Sequence, residues 1–178
     1  MTAPTLLTAR LKLTGPQPED YDDFAQMWAD ADVVQFLGAE ISNPQDAWLR
    51  LMRNAGSWAL LGYGPWIVRD RKTDAFIGDT GFSDYRRGMT PDISGYPEAG
   101  WVFAKRFWGQ GYASEALTAT HAWLDEMHPG RSVCIIEPDH GASIRVAQKL
   151  GYRDFVGSDY KGTPMLIFER FSPGTGKS

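Results

Sequence analysis

The sequence predicts an α+β fold in three α/β/α layers, with about seven strands and about four helices. Three observations predict it. Apolar periodicity switches between strand-like and helical in the order strand, two helices, three strands, helix, strand, helix, two strands. A glycine-rich turn, Gly109-Gln110-Gly111, stands between an apolar strand-like run and a long helical stripe. The run Val133-Cys134-Ile135-Ile136 is wholly apolar, as in a strand covered on both faces.

Residues 8–14 alternate Leu11 and Leu13 with polar neighbours and read as the first strand, turned by Gly15-Pro16-Gln17-Pro18. Pro18 then opens a helix whose stripe is Tyr21, Phe24, Ala25 and Trp28. Glu19, Asp20, Asp22 and Asp23 crowd its first turn, where the helix dipole favours anions, so they read as surface charges and not as a metal cluster. Residues 33–41 read as an irregular connection. Asn43 caps a second helix with Pro44 at its first position. Trp48, Leu51, Met52 and Ala55 form its expected buried face, and the stretch 56–64 its stop.

Strands follow at 66–68, 75–82 and 98–104. The first two are joined by the polar turn 70–74, and the last two by a loop rich in Gly and Pro. Gly78 and Gly81 within a strand predict a bulge or a close backbone approach. The helix after the glycine turn presents Ala113, Ala116, Leu117, Thr120, Leu124 and Met127, and His128-Pro129-Gly130 stops it. A strand at 131–137, a helix at 142–150 ended by Gly151, and strands at 152–156 and 164–171 complete the domain. Residues 172–178 read as a flexible tail, and residues 1–178 as a single domain.

Composition narrows the function. Hydrophobic residues make up 43% of 178, with seven Trp, seven Tyr and nine Phe, enough for a substantial core. A net charge of −4 argues against a nucleic-acid binder with a broad basic face. The local clusters Arg69, Arg71, Lys72 and Arg86, Arg87 read as solvated turns. The single cysteine, Cys134, excludes an intrachain disulfide and reads as a buried strand residue. His121, His128 and His140 show no zinc-ligand spacing, so no metal is expected. The chain start lacks a signal-peptide pattern, and no run nears the ~18 apolar residues of a membrane span. A cytoplasmic protein without membrane or nucleic-acid partners is expected.

The glycine turn carries the chemistry. A helix start offers backbone N–H groups without intrahelical partners, and side-chain-free positions let a ligand approach them. That suits a phosphate or pyrophosphate. The spacing is neither G-x-G-x-x-G nor the P-loop's, because no Gly-Lys-Ser/Thr follows.

Arg106-Phe107-Trp108-Gly109-Gln110-Gly111-Tyr112-Ala113 instead resembles the acetyl-CoA pyrophosphate loop of the GNAT N-acetyltransferases. The longer string from Glu98-Ala99-Gly100-Trp101-Val102 to Ser114-Glu115-Ala116 resembles the branch that modifies ribosomal-protein N-termini. A second segment, from His140 through Ser143 and Lys149 to Gly151-Tyr152, is similar to the family's Asn-x-x-Ser-x-x-x-x-x-Lys-x-Gly-Phe helix. The element order resembles the family's over about residues 8–171. The resemblance implies a mixed, mostly antiparallel sheet in which strands 98–104 and 132–137 splay to receive the pantetheine arm.

It further implies acetyl transfer to a primary amine, of a protein N-terminus or a small molecule, by direct attack in a ternary complex. Cofactor contacts would come from Val102, Phe103, Ala104, Arg106, Phe107, Trp108, Gly109, Gln110, Gly111, Tyr112, Ala113, His140, Ser143 and Lys149. A backbone N–H near Val102 or Phe103 would polarise the thioester.

Two departures matter. His140 replaces the usual Asn, and Ala147 replaces a Tyr that protonates the departing thiolate in many relatives. Ser143 would take that role, or simply satisfy the helix start. Glu98 would be the base, or an exposed strand-end carboxylate, with Glu137 and Asp79 in reserve. Trp58, Trp66 and Tyr85, with Tyr63 and Tyr96, would line an aromatic acceptor pocket or belong to the core. A non-catalytic acyl-CoA-binding module is the alternative that the two departures keep open. A homodimer also stays open.

Overall fold

The computed structural model describes residues 2–35, 37 and 41–174. Residues 175–178 of the expected tail, and 36 and 38–40 of the expected irregular connection, lie outside the described residues. One sheet of eight strands runs through the domain: β1 (Leu6–Leu7), β2 (Leu11–Thr14), β3 (Pro65–Asp70), β4 (Phe76–Ser83), β5 (Glu98–Phe103), β6 (Arg131–Ile136), β7 (Arg153–Tyr160) and β8 (Thr163–Phe171). Among the described residues five helices flank it: α1 (Tyr21–Trp28), α2 (Ala31–Val34), α3 (Pro44–Leu61), α4 (Tyr112–Met127) and α5 (Gly141–Lys149). Short 3-10 turns cover Pro18–Asp20 and Lys105–Phe107.

The spatial order is β1-β2-β3-β4-β5-β6-β8-β7. Every neighbouring pair is antiparallel except β5 and β6. That parallel pair is in register only at Glu98 opposite Val133, supported by Val133 N–H donating to the Pro97 carbonyl at 3.0 Å. Beyond this point the two strands part, and the sheet is split at its centre.

The expected first strand divides into β1 and β2, because Thr8 turns the chain: its hydroxyl accepts the Leu11 N–H at 2.9 Å. The short helix α2 occupies part of the expected irregular connection, with Asp30 capping it through the Asp32 N–H at 3.0 Å. α3 passes through Gly56 and ends only at Gly62, in the left-handed region at φ 77°. Its buried face is Ala47, Leu51, Asn54, Ser57 and Trp58, whereas Trp48 and Met52, expected inside, are exposed. Trp48 instead packs edge-on against Tyr21, ring centroids 5.5 Å apart.

Three packed regions hold the layers together. α4 covers one face with Ala116 and Leu124 over Leu11, Leu13, Trp66 and Phe82. α1, α2 and α3 cover the other with Phe24, Met27, Val33 and Leu51 against Ile67 and Phe76. The loop after β4 packs Met89 and Ile93 on Val133, Met165 and Ile167. Cys134 is fully buried, and burial pushes its thiol well above the ordinary range.

β4 and β5 approach closely where a side chain is missing. A Cβ at Gly78 would collide with the Val102 carbonyl oxygen and sit 2.8 Å from the Phe103 Cα. Both obstacles are backbone, so neither can swing aside. Gly78→Ala is therefore expected to destabilise the fold by about 3 kcal/mol or more, read as a lower urea midpoint.

Candidate active site

The register places Asp79, Gly81 and Ser83 of β4 opposite Val102, Gly100 and Glu98 of β5, so all six share one face. That face looks toward α3, as two contacts show. Asn54 Nδ2 donates to Asp79 Oδ2 at 3.4 Å, and the Ser57 and Ser83 hydroxyls lie 3.1 Å apart. Between this floor and α3 opens a cleft of about 720 Å³ that reaches the split between β5 and β6, where Ile135, Ile136, His140 and Ser143 line it. A larger, more open cavity of about 940 Å³ lies beside the N-terminal segment and α1, lined by Thr2, Lys12, Asp20 and Arg69 among others. It does not include the split, which, of the two, only the smaller cleft reaches.

The split exposes main chain. Ala104 N–H donates to the Ile77 carbonyl at 2.9 Å, toward β4. Alternation then turns the N–H and C=O of Trp101 and Phe103 to the other edge, toward β6. The Phe103 carbonyl accepts Trp108 Nε1–H at 2.6 Å, and Trp101 Nε1–H reaches across to Ser143 Oγ at 3.3 Å. Ser143 is buried on the first turn of α5. With a hydroxyl lone pair engaged by the indole, its own hydrogen is available to donate elsewhere.

At the end of β5 the chain makes the 3-10 turn and enters α4 through Gly111, at φ 80°, with Gly109 at φ 71°. These left-handed conformations suit glycine. The first helical bond runs from Glu115 N–H to the Gly111 carbonyl at 3.1 Å, which leaves the Tyr112, Ala113 and Ser114 amides without intrahelical acceptors. Among the described residues, its two chain neighbours aside, a Cβ at Gly109 would meet nothing within 4 Å.

The turn is braced from outside. Arg106 donates to the Phe76 carbonyl at 3.2 Å and Gln110 Nε2 to the Arg106 carbonyl at 2.8 Å. Arg10, missed in the sequence, donates to the Gln110 carbonyl at 2.9 Å, pairs with Glu115 at 2.6 Å and stacks on Tyr112 at 4.2 Å. This cradle of free amides over open space fits a diphosphate.

Two buried carboxylates stand in the cleft with different surroundings. Glu98 is gripped by Arg87, whose Nε lies 3.0 and 2.9 Å from its two oxygens and whose Nη2 lies 2.8 Å from Oε1. Burial raises its pKa, opposed by that pairing. Arg87 thus belongs to the cleft and not to a solvated turn, and its guanidinium also lies over Tyr85 and Tyr160 at 4.6 and 4.7 Å. Arg69 likewise is no free surface charge, since it pairs with Asp20 at 2.9 Å and Asp23 at 3.1 Å.

Asp79 Oδ1 is buried and makes no hydrogen bond of normal geometry, although the Trp28 indole N–H, itself without another partner, is close enough to favour the carboxylate. Burial pushes the Asp79 carboxyl from 3.8 up to about 7, against the opposing charges of Arg50 and Arg53 and lesser help from Trp28 and Asn54. An oxygen without a hydrogen bond of normal geometry and a titration near neutrality are what a proton acceptor needs.

The remaining predicted residues divide. Val102, His140, Ser143, Glu98 and Tyr85 line the cleft. Burial raises the Tyr85 phenol and lowers the His140 imidazole. Trp58 and Trp66 do not reach it. They are buried in an edge-to-face cluster with Trp123, centroids 4.5 to 5.4 Å apart, and Trp58 Nε1 is bound to the Pro65 carbonyl at 2.9 Å. Lys149 is exposed at the far end of α5 from Ser143. The sequence reading missed Arg50, Arg53, Asn54 and Arg87. Polar residues three and four apart on an otherwise apolar helix, and one acid inside the apolar run of β4, were the signals available. Among the described residues no group of three His, Cys, Asp or Glu could hold a metal, and no helix is long and apolar enough to cross a membrane.

Comparison with known proteins adds an independent line. The family profile described as an acetyltransferase (GNAT) domain matches residues 10–153. The chain is 30% identical over 171 residues to the uncharacterized protein YkkB of Bacillus subtilis, covering 94% of this chain and 95% of YkkB. A structure from Bordetella pertussis, described as a GNAT-family acetyltransferase, superposes with a TM-score of 0.84 at 30% identity over 94% of this chain and 99% of that one. RimL, a ribosomal L7/L12 alpha-N-protein acetyltransferase in complex with CoA, superposes with a TM-score of 0.76 over 93% and 96% of the two chains. At 15% identity that is a likeness of fold alone.

Proposed function

The chain belongs to the GNAT acetyltransferase family, and from that premise we propose that it moves acetyl from acetyl-CoA to a primary amine by direct attack, as one catalytic domain working in the cytoplasm. The observation that carries this reading is the central split: β5 and β6 meet only at Glu98 and Val133, directly before a turn of unpartnered helix-start amides. The helix-start amides of Tyr112, Ala113 and Ser114 would hold the diphosphate, with Arg106 and the brace from Arg10 keeping the turn in shape; the expected donors Phe107 and Trp108 are instead engaged by the Ala104 and Lys105 carbonyls at 2.9 and 3.1 Å. The Trp101 and Phe103 main chain, turned toward the split, would bind the pantetheine arm, and an N–H there would polarise the thioester carbonyl. Acetyl-CoA supplies the acetyl group as an activated thioester.

The amine must lose a proton before it can attack, because it is protonated at neutral pH. Glu98 and Asp79 are the candidates to take it. Both Glu98 oxygens are held by Arg87, while Asp79 has an oxygen without a hydrogen bond of normal geometry and titrates near neutrality. We therefore assign the base to Asp79, with Glu98 positioning Arg87 over Tyr85. Attack forms the C–N bond and breaks the C–S bond. One amine proton goes to Asp79, Ser143 gives its hydrogen to the departing sulfur, and a second amine proton restores Ser143. Overall an ammonium and a thioester become an amide, a thiol and one released proton.

Calorimetric titration with CoA, ATP and NAD, followed by thiol release on an amine panel, tests the reading. CoA is expected to bind where the nucleotides do not, with amine-dependent thiol release. Binding without release on any amine would favour the non-catalytic module, and preference for ATP or NAD would overturn the assignment. Ser143→Ala is expected to lower kcat by roughly 10- to 100-fold at nearly unchanged CoA affinity. An unchanged kcat would leave Ser143 as a helix-start residue only.

A further inference from the structure

α3 carries two cations into the cleft that no anion among the described residues neutralises directly. Arg50 is half-buried, its guanidinium lies 3.7 Å above the Trp28 ring, and its Nε is buried without a hydrogen-bond partner. Arg53, one turn further on, lies over the Tyr85 ring at 5.1 Å. Among the described residues neither forms an ion pair within 4 Å. Burial lowers the Arg50 pKa, and Arg53 lowers it further by repulsion. A guanidinium withdrawn from water and set beside a like charge is unfavourable unless an anion completes it.

Among the described residues the other charges of the cleft do not complete it. Arg87 and Glu98 cancel one another. Asp79 attracts both arginines but carries only part of a charge at neutrality. Asp46 is exposed and engaged by Asn43 at 2.7 Å, and Lys161 is exposed and cationic. Glu137 belongs to the other end, where β6 leads into α5. Asn54, one residue beyond Arg53, touches the Asp79 carboxylate, so the arginines stand on the wall above the proposed base.

We propose that Arg50 and Arg53 bind a carboxylate carried by the acceptor, so that the substrate is an amine with an acid group a few bonds away and not a simple alkylamine. The carboxylate would come from a free amino acid or from an acidic residue just behind a polypeptide N-terminus. This rests on the transferase reading above and leaves its chemistry unchanged: the anion fixes the acceptor while the amine points down to Asp79. The flat guanidinium on Trp28 is held ready for a two-point contact.

The test uses the full chain in two parts. With CoA bound, free amino acids and their carboxamides are titrated by calorimetry, alongside short peptides with Asp or Asn at the second position. Turnover is then measured on the same compounds with acetyl-CoA. Acids are expected to bind and react on the order of 10- to 100-fold better than their amides, and the arm that responds, free amino acid or peptide, identifies the source. Arg50→Met is expected to raise Kd and KM for acids by a similar factor and to erase the preference over amides, and, because the Arg50 charge lowers the Asp79 pKa, to move the pH limb of turnover upward for acids and amides alike. Arg53→Met, at an exposed position, should weaken the preference if Arg50→Met does not fold. Equal handling of acids and amides, no acid bound at all, or a preference that survives both substitutions would overturn the proposal while CoA binding still stood. Failure of CoA to bind would overturn the transferase reading and this inference together.

Discussion

Asp79→Asn is expected to lower kcat/KM by roughly 100- to 10,000-fold while CoA affinity stays within a few-fold. The reason is the contrast inside one cleft. Asp79 has a buried oxygen without a hydrogen bond of normal geometry and titrates at about 7, whereas both oxygens of Glu98 are occupied by a guanidinium. The parent's kcat/KM should rise with pH through a limb near 7, and that limb should vanish in the variant. Glu98→Gln is expected to cost less and to keep the limb. If Glu98→Gln removes the limb and Asp79→Asn does not, Glu98 is the base.

The same substitution has an opposite effect on stability. Asp79 in the folded state holds a proton that the unfolded chain releases near its ordinary 3.8. Between about 4 and about 7 the folded state therefore binds more protons, and stability falls as pH rises across that window. At about 1.4 kcal/mol per pH unit, the interval from 3.8 to about 7 sets a ceiling of about 4 kcal/mol. Asn carries no such charge, so Asp79→Asn is expected to raise Tm above pH 7 and to change it little near pH 4. An inactive variant that is less stable than the parent at pH 8 would mean that the loss came from unfolding.

Gly111→Trp is expected to reduce CoA affinity by more than about 100-fold, or about 3 kcal/mol, while far-ultraviolet circular dichroism shows the fold retained. Gly111 sits at φ 80° as the N-terminal cap of α4, and a Cβ there would lie 3.5 Å from Arg10 Nη2. A bulky residue must displace the Arg10 brace and crowd the amides that the diphosphate would use. Strain alone could be confused with loss of the site, so Gly62→Ala serves as the control. Gly62 is also left-handed, at φ 77°, but ends α3, and a Cβ there would meet only the His128 ring at 3.6 Å. It should show the strain, about 1 kcal/mol, with unchanged CoA affinity. Full CoA affinity in Gly111→Trp would remove the diphosphate from this turn.

Where sequence reading and structure diverge, the cause is tertiary. Trp48 and Met52 looked like the inner face of α3 because they are large and apolar. The face turned inward carries Asn54 and Ser57, since it must meet Asp79 and Ser83 across the cleft. Arg87 looked like a turn residue because its neighbours in the chain are polar and glycine-rich, but the loop folds back over β5 and pairs it with Glu98, eleven positions on. Trp58 and Trp66 looked available for a substrate because aromatics suit both pockets and cores, and only the Trp123 contact puts them in the core.

The sequence by itself determined the turn that is proposed to hold the cofactor. A strand, two glycines and a helix start are contiguous, and backbone conformation together with unsatisfied amides is local physics that a short window contains. The tertiary structure alone decided the cleft that is proposed to take the acceptor. Arg50, Asp79, Arg87 and Glu98 come from a helix, two strands and a loop, and only long-range packing brings them to one cleft. Their charge states are set there as well, because desolvation depends on what surrounds a group in space and not on its neighbours in the chain.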